Sequence, residues 1–302
     1  MIAFHWETMA GAGLDMLLGD PRWMPHPVRG IGWLIAGQEP LWRRSGLTLR
    51  TAGTGLCLLT VALTTAAVAA SLWLLPYARI YWIYSLLAIR DLDRHAADVF
   101  HALRQANLSA ARERLSWIVG RDTANLEEPE IIRATVETVA ENLSDGIVAP
   151  LFYLALGGPV LMAAFKAIST LDSMVGYRNE KYRDLGWFSA RADDWANWIP
   201  ARLTAVLIWV ICALPGYSMR QAIRITLRDG ASQPSPNSGY PEAAVAGALG
   251  LRLGGMNYYQ GVPSRKAYLG DALVPPSASV FPRLRILLYG VALLAAAGAS
   301  LR

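Results

Sequence analysis

ETVAENLSDGIVAPLFYLALGGPVLMAAFKAISTLDSMVGYRN, residues 137–179, decides the fold. It begins as a carboxylate-rich helix end (Glu137, Glu141, Asn142, Asp145). It then runs through an apolar stretch broken at Gly157-Gly158-Pro159 and emerges into a second polar cluster: Lys166, Thr170, Asp172, Tyr177, Arg178 and Asn179. Polar groups at both ends of an apolar segment point to a site built at a membrane surface. The glycine–proline tripeptide interrupts the helix, either as two half-helices that dip in and return or as one kinked crossing helix. Broken membrane helices often border binding sites because their ends expose backbone groups.

The rest of the chain repeats this alternation of apolar runs and polar ends. Of its 302 residues 54% are hydrophobic and 17% charged, and the mean hydropathy is +0.28; soluble domains carry about 25% charged residues. The expected class is all-α, a polytopic integral membrane protein with about four to six spans and helical cytoplasmic loops. The whole chain, 1–302, reads as a single integral membrane domain that includes a helical polar region at 90–146 and a polar loop region at 216–282. Net charge is +5, but the basic residues are scattered, which excludes a nucleic-acid stripe. Cys57 and Cys212 both sit in apolar runs, so neither a disulfide framework nor a zinc site is expected. The N-terminus lacks a basic leader, and no cleavable signal is expected.

Residues 2–18 form an apolar helix of marginal spanning length that carries Asp15. Pro21, Pro25 and Pro27 then forbid a regular helix and hold a stiff turn presenting Asp20, Arg22, Trp23, His26 and Arg29. That turn is either a connecting loop or an anion-binding one. Leu47 to Leu75, uncharged apart from Arg50, is the strongest membrane signal. Pro76 breaks it before an aromatic stretch in which Trp73, Tyr77, Tyr81, Trp82 and Tyr84 suit an interfacial belt. One span with an interfacial helix and a two-span hairpin both fit. In 90–146, Leu92, Ala96, Val99 and Leu103 keep a helical period, Ser109 is placed to cap the next helix, and Asp122–Asn125 reads as a turn. Pro129 opens a helix over about 129–143 in which Glu137 and Glu141, at i,i+4, share a face. Spans follow at 201–215 and 284–300. Between them lie a basic amphipathic helix (Arg220, Arg224, Arg228) and a Gly/Ser/Pro/Asn loop that runs into a small-residue helix from about Pro241.

The carboxylates Asp20, Asp91, Glu137, Glu141, Asp145, Asp172, Asp193 and Asp194, set beside Arg22, Arg29, Arg90, Lys166, Arg178 and Lys181, suit a phosphorylated substrate with magnesium. No Walker loop, dinucleotide fingerprint or nucleophile elbow is present. Each cluster also has a plainer reading. Asp91 and His95 could pair structurally, Lys166 could snorkel, and Glu137 and Glu141 could be a solvated face. The loop carrying Ser235, Asn237 and Gly239 is either a linker or a phosphate cradle before a helix.

Five blocks in order, LLGDPRWMPHPVRGIG (17–32), RDLDRHAADV (90–99), ETVAENLSDGIVAPLFY (137–153), KAISTLDSMVGYRNEKYRDLGWFSARADDWANWIPARLT (166–204) and DGASQPSPNSGYPEAAVAGALGLRLGG (229–255), together resemble the adenosylcobinamide-phosphate synthase family, the CobD/CbiB-type membrane proteins of cobalamin biosynthesis. The resemblance spans nearly the whole chain. It implies ATP-dependent amide condensation of adenosylcobyric acid with (R)-1-aminopropan-2-ol O-phosphate or ethanolamine phosphate, the corrinoid being substrate and not cofactor. With it come ATP and magnesium, the metal held by some of Glu137, Glu141, Asp145 and Asp172. Lys166, Arg22, Arg29 and Arg178 would neutralise phosphate charge, and His95 or an aspartate would take the ammonium proton. Asp20, His26, Arg90, Asp91, Asn142, Tyr177, Asn179, Asp193, Asp194, Asn197, Ser235, Asn237 and Gly239 complete the expected substrate-binding set. The expected setting is the inner membrane, with lipid around the spans, a site facing the cytoplasm and other late-pathway enzymes as partners. A transporter or a scaffold for a corrinoid or another anion is the rival reading, favoured by Asp15 and the broken 157–159 segment.

Overall fold

The computed structural model describes residues 4–21, 23–177 and 179–301. Its helices run in order α1 (Trp6–Leu18), α2 (Pro27–Arg43), α3 (Leu49–Leu74), α4 (Ala78–Ser85), α5 (Ile89–Arg104), α6 (Leu108–Ser116), α7 (Glu128–Asn142), α8 (Ala149–Val175), α9 (Trp187–Ala196), α10 (Trp198–Ile211), α11 (Met219–Asp229), α12 (Gly239–Leu249) and α13 (Phe281–Ser300). A hairpin, β1 (Leu253–Tyr259) and β2 (Val262–Leu269), separates α12 from α13. The expected helical membrane class holds. Among the described residues three helical segments are long and apolar enough to cross a membrane: Leu49–Leu74, Glu128–Val175 and Ala278–Ser300. Trp198–Ile211 is apolar but shorter.

The chain divides into two compact units, one of Met1–Ala88, Ala149–Asn197 and Ala295–Arg302, the other of Ile89–Val148 and Trp198–Leu294. In the first, α2, α3 and α8 pack around Ile31, Ile35, Leu56, Cys57, Ala167, Leu171 and Val175. His26 caps α2, its Nδ1 accepting from Val28 N at 3.3 Å, and Pro27 takes the first helical position, where a missing N–H costs nothing. The Pro76 break ends α3, and α4 is a separate helix of 8 residues, which leaves one long span there and no second one. The expected aromatic belt is only partly realised. Trp73 and Tyr77 are exposed, whereas Tyr81 donates to Pro25 O, Trp82 to Ser71 Oγ and Tyr84 to Gly19 O. These three aromatics dock α4, because each has a polar tip within reach of a backbone or hydroxyl oxygen. Within α8, Gly157 and Gly158 leave helical geometry (Gly158 at φ 67°), so the helix is kinked where the tripeptide predicts a break.

The second unit gathers both polar regions. Its amphipathic α5 turns Leu92, Ala96, Val99 and Phe100 inward, and Phe100 stacks on Phe281 of α13 with centroids 4.7 Å apart. Asn107, not Ser109, caps α6, accepting from Ala110 N at 3.0 Å. Its carboxamide sits one residue before the helix, where the first free N–H groups point. The 216–282 region is more ordered than a loop. It holds α11, α12 and the hairpin, whose turn residues Gln260 (φ 52°) and Gly261 (φ 78°) have the left-handed pair that tight hairpins require. Two arginines of the α11 row are bound within the unit: Arg228 pairs with Asp229 at 2.7 Å and Asp271 at 2.9 Å, and Arg224 with Asp271 at 3.5 Å.

Candidate active site

Arg133, Glu137 and Glu141 follow one another at i,i+4 along α7, so one stripe of the helix carries a cation and two acids. The hairpin completes their surroundings. Its register shifts between Leu253 and Gly255, and the irregularity frees the Gly254 N–H from the strand ladder. That N–H donates to Glu137 Oε1 at 2.7 Å. A side chain at Gly254 would meet Ala267 O at 2.0 Å, and its φ is 81°, so the position needs glycine. The turn before α7 supplies a further cation. Asp122 accepts from Gln260 N and Gly261 N and donates its own N–H to Tyr258 O. This lashing of the turn to the hairpin tip sets Arg121 in place beside it.

Glu137 is consequently saturated. Arg121 Nη2 reaches its Oε2 at 2.6 Å and Arg133 Nη1 its Oε1 at 3.0 Å. The same guanidiniums share Asn257 Oδ1, at 2.6 and 3.3 Å, and Arg133 also donates to Gly254 O and Met256 O. Glu137 is 1% exposed. It is therefore the acid of a buried ion network and not a solvated helix face.

Glu242, in the first turn of α12, lies in the same electrostatic cluster. It is fully buried, and neither carboxylate oxygen has a hydrogen-bond partner. Burial pushes its carboxyl up to about 8, helped by the charges of Glu141 and Glu137 and opposed by Lys266 and Arg121. Lys266, on β2, feels the reciprocal field. Burial would lower it, but Glu242, Glu141 and Glu137 outweigh that and hold it above the ordinary lysine value. Glu141 is half-buried, one turn beyond Glu137 on α7. The cluster thus holds one carboxylate committed to arginines, one carboxyl poised between protonation states, and a fixed ammonium.

The other expected residues are distributed over both units. In the second, Asn142 spends its Nδ2 on Thr138 O at 2.9 Å, and Asp145 sits in a π-helical turn, Leu143–Val148. Asp91 and His95 lie one turn apart on α5, both half-buried. Arg90 reaches Tyr289 and Asp93. Asp93, which the sequence reading passed over, is the fixed point of that region: Arg285 bonds both its oxygens at 2.7 and 2.9 Å and Tyr289 adds a third bond at 2.9 Å. Ser235 Oγ accepts from the N–H groups of Asn237 and Ser238, folding the loop that delivers Gly239 to the start of α12. In the first unit, Asp20 pairs with His26 at 3.1 Å and Arg29 donates to Met24 O. Asn179 accepts from Tyr182 N, and Asp193 accepts from the buried Asn197 at 3.1 Å. Tyr177 is exposed, Lys166 and Asp172 are half-buried, and Asp194 stands beside Asp193 on α9. Arg22 and Arg178 lie outside the described residues.

The structure does not bring the expected magnesium set together. Both oxygens of Glu137 are already taken by guanidinium and amide N–H groups, so it does not fit as a metal ligand here. Among the described residues no three His, Cys, Asp or Glu side chains form a group able to hold a metal ion.

Fold and site together define a helical membrane protein that carries a buried cluster of carboxyl and cationic side chains. The chain belongs to the CobD/CbiB protein family, which it matches over residues 8–287. It is 50% identical to the cobalamin biosynthesis protein CobD of Pelobacter propionicus, over 93% of this chain and 89% of that protein. It is 50% identical to the CobD of Geobacter metallireducens over 92% and 90%, and 45% identical to the cobalamin biosynthesis protein CbiB of Salmonella arizonae over 94% and 92%. No solved structure matches.

Proposed function

We propose that this protein is an adenosylcobinamide-phosphate synthase, acting in cobalamin biosynthesis as an ATP-dependent ligase. It would condense a propionate carboxylate of adenosylcobyric acid with the amine of aminopropanol phosphate or ethanolamine phosphate. The observation that carries this is the family match along 8–287, which contains all five blocks of the resemblance. A free carboxylate is a poor acyl donor. ATP would convert one of its oxygens into a phosphoryl or adenylyl leaving group, and the amine would then attack. This chain's residues would bind and orient the partners, exclude water and move protons. Arg29 and Lys166, with Arg22 and Arg178, are the proposed phosphate partners. Magnesium is the expected companion of ATP; the acids expected to hold it do not form a metal-binding group among the described residues, and no step is derived through it. The proposed setting is the inner membrane with the site on the cytoplasmic side, among other late-pathway enzymes.

The transporter reading keeps one specific support, the fully buried Asp15 in an apolar helix. ATP consumption by the full chain in detergent separates the two. The ligase reading requires consumption that depends on both adenosylcobyric acid and the amine. Corrinoid uptake into vesicles without ATP consumption or chemical change would favour the transporter.

A further inference from the structure

α12 reads GYPEAAVAGAL, a helix of small apolar residues interrupted by a single acid. Every residue from Pro241 to Leu249 is buried, Glu242 completely. A carboxyl removed from water without hydrogen-bond partners is destabilising, and alanine would fill a purely structural position at no such cost. Local rules broken in this way mark functional positions. The neighbours of Glu242 are also arranged unequally. Glu137 is locked by Arg121, Arg133 and Gly254, with both oxygens already engaged. Lys266 supplies a fixed positive charge beside Glu242, and Glu141 is open enough to meet solvent or ligand. Glu242 is the one carboxyl of the three with both oxygens buried and uncommitted.

We infer that Glu242 is the proton acceptor for the attacking amine, with Lys266 holding its carboxylate charge and Glu141 steering the ammonium group toward it. The inference rests on the proposed amide-forming reaction. An alkyl amine arrives as the ammonium ion, since its pKa resembles that of lysine, about 10.4, and that ion has no lone pair to attack with. One N–H bond breaks and its proton passes to a Glu242 oxygen. The freed pair forms the C–N bond to the activated acyl carbon while the acyl C–O bond breaks. Its electrons leave with the phosphoryl or adenylyl oxygen, which also takes the second nitrogen proton.

The test compares two nucleophiles on the purified full chain with adenosylcobyric acid and ATP. Aminopropanol phosphate must be deprotonated to react, whereas hydroxylamine is already unprotonated at neutral pH and traps the activated acyl group as a hydroxamate. For Glu242→Gln we expect amide formation to fall by about 10²–10³ while hydroxamate formation stays within about threefold of the unchanged protein. An unchanged amide rate would overturn the assignment. So would an equal loss of both reactions in protein with a normal melting profile, because that pattern belongs to activation or folding and not to proton transfer. If Glu242→Gln does not fold, Glu242→Asp decides by the same ratio: a fall in amide relative to hydroxamate supports the role, and an unchanged ratio refutes it. Failure of the unchanged protein to form either product would count against the ligase reading itself.

Discussion

Glu137, Glu141 and Glu242 are chemically alike and do three different things. Glu137 carries three donors in a dry setting, so Glu137→Gln strands two buried guanidiniums. Breaking a buried ion pair costs about 3–5 kcal/mol, and a large drop in the melting temperature in detergent is expected. Glu141 carries no such network. Glu141→Gln should abolish turnover while melting stays close to the original, and near-normal activity would remove it from the site. Glu242 predicts a pH effect. Its carboxyl is raised from 4.5 to about 8 in the folded chain, so between those values the folded state holds a proton that the unfolded state has released. Stability from this group is therefore full below about 4.5, declines as pH rises and levels off above about 8. Melting curves across that range should show the decline, and Glu242→Gln should flatten it. The Glu137–Glu141 pair was legible from its i,i+4 spacing, and Arg133, one further turn back, obeys the same spacing. Arg121, Asn257 and Lys266 were not, since only the fold of the hairpin brings them to α7. The lone acid of PEAAVAG was a visible signal for Glu242 that the surrounding loop motif overshadowed.

At the level of elements, the second unit depends on two close attachments. A Cβ on Gly247 would lie 2.5 Å from Gln221 O, so α11 and α12 meet backbone to backbone. Gly247→Val should force them apart at a cost of about 1–3 kcal/mol or more, moving Glu242 with its helix, and activity should fall along with the melting temperature. The second attachment is Asp93, which ties α5 to Arg285 and Tyr289 of α13. Asp93→Asn weakens charge-assisted bonds worth about 1.5–3 kcal/mol each and should lower the melting temperature while α5 remains helical by circular dichroism. Most helices could be read from period, proline and glycine alone, including the kink at Gly157-Gly158. The hairpin was missed although Gln260-Gly261 is a turn signal, because the flanking residues do not alternate cleanly between apolar and polar: its outer face carries Met256, Tyr258 and Tyr268 in the open. Tyr81, Trp82 and Tyr84, expected to suit an interfacial belt, also hold α4 in place through their polar tips. An amphipathic aromatic suits a membrane interface and a hydrogen-bonded helix contact equally well.

At the level of the whole molecule, composition sufficed for the membrane class, and three segments have the length and apolarity to span. The expected site residues fall into both compact units, and the polar chemistry concentrates where α7, α12 and the hairpin enclose Glu137, Glu141, Glu242 and Lys266. Residue order could not reveal that enclosure, because Glu137 and Glu141 lie more than a hundred positions before Glu242 and Lys266. The central claim is that this chain forms an amide bond at the expense of ATP. The most direct measurement is the mass of the corrinoid after incubation of the purified protein with adenosylcobyric acid, aminopropanol phosphate, ATP and magnesium. The account predicts a gain equal to the amine phosphate less one water, absent without ATP. An unaltered corrinoid mass, with folded protein that binds the corrinoid, would contradict it.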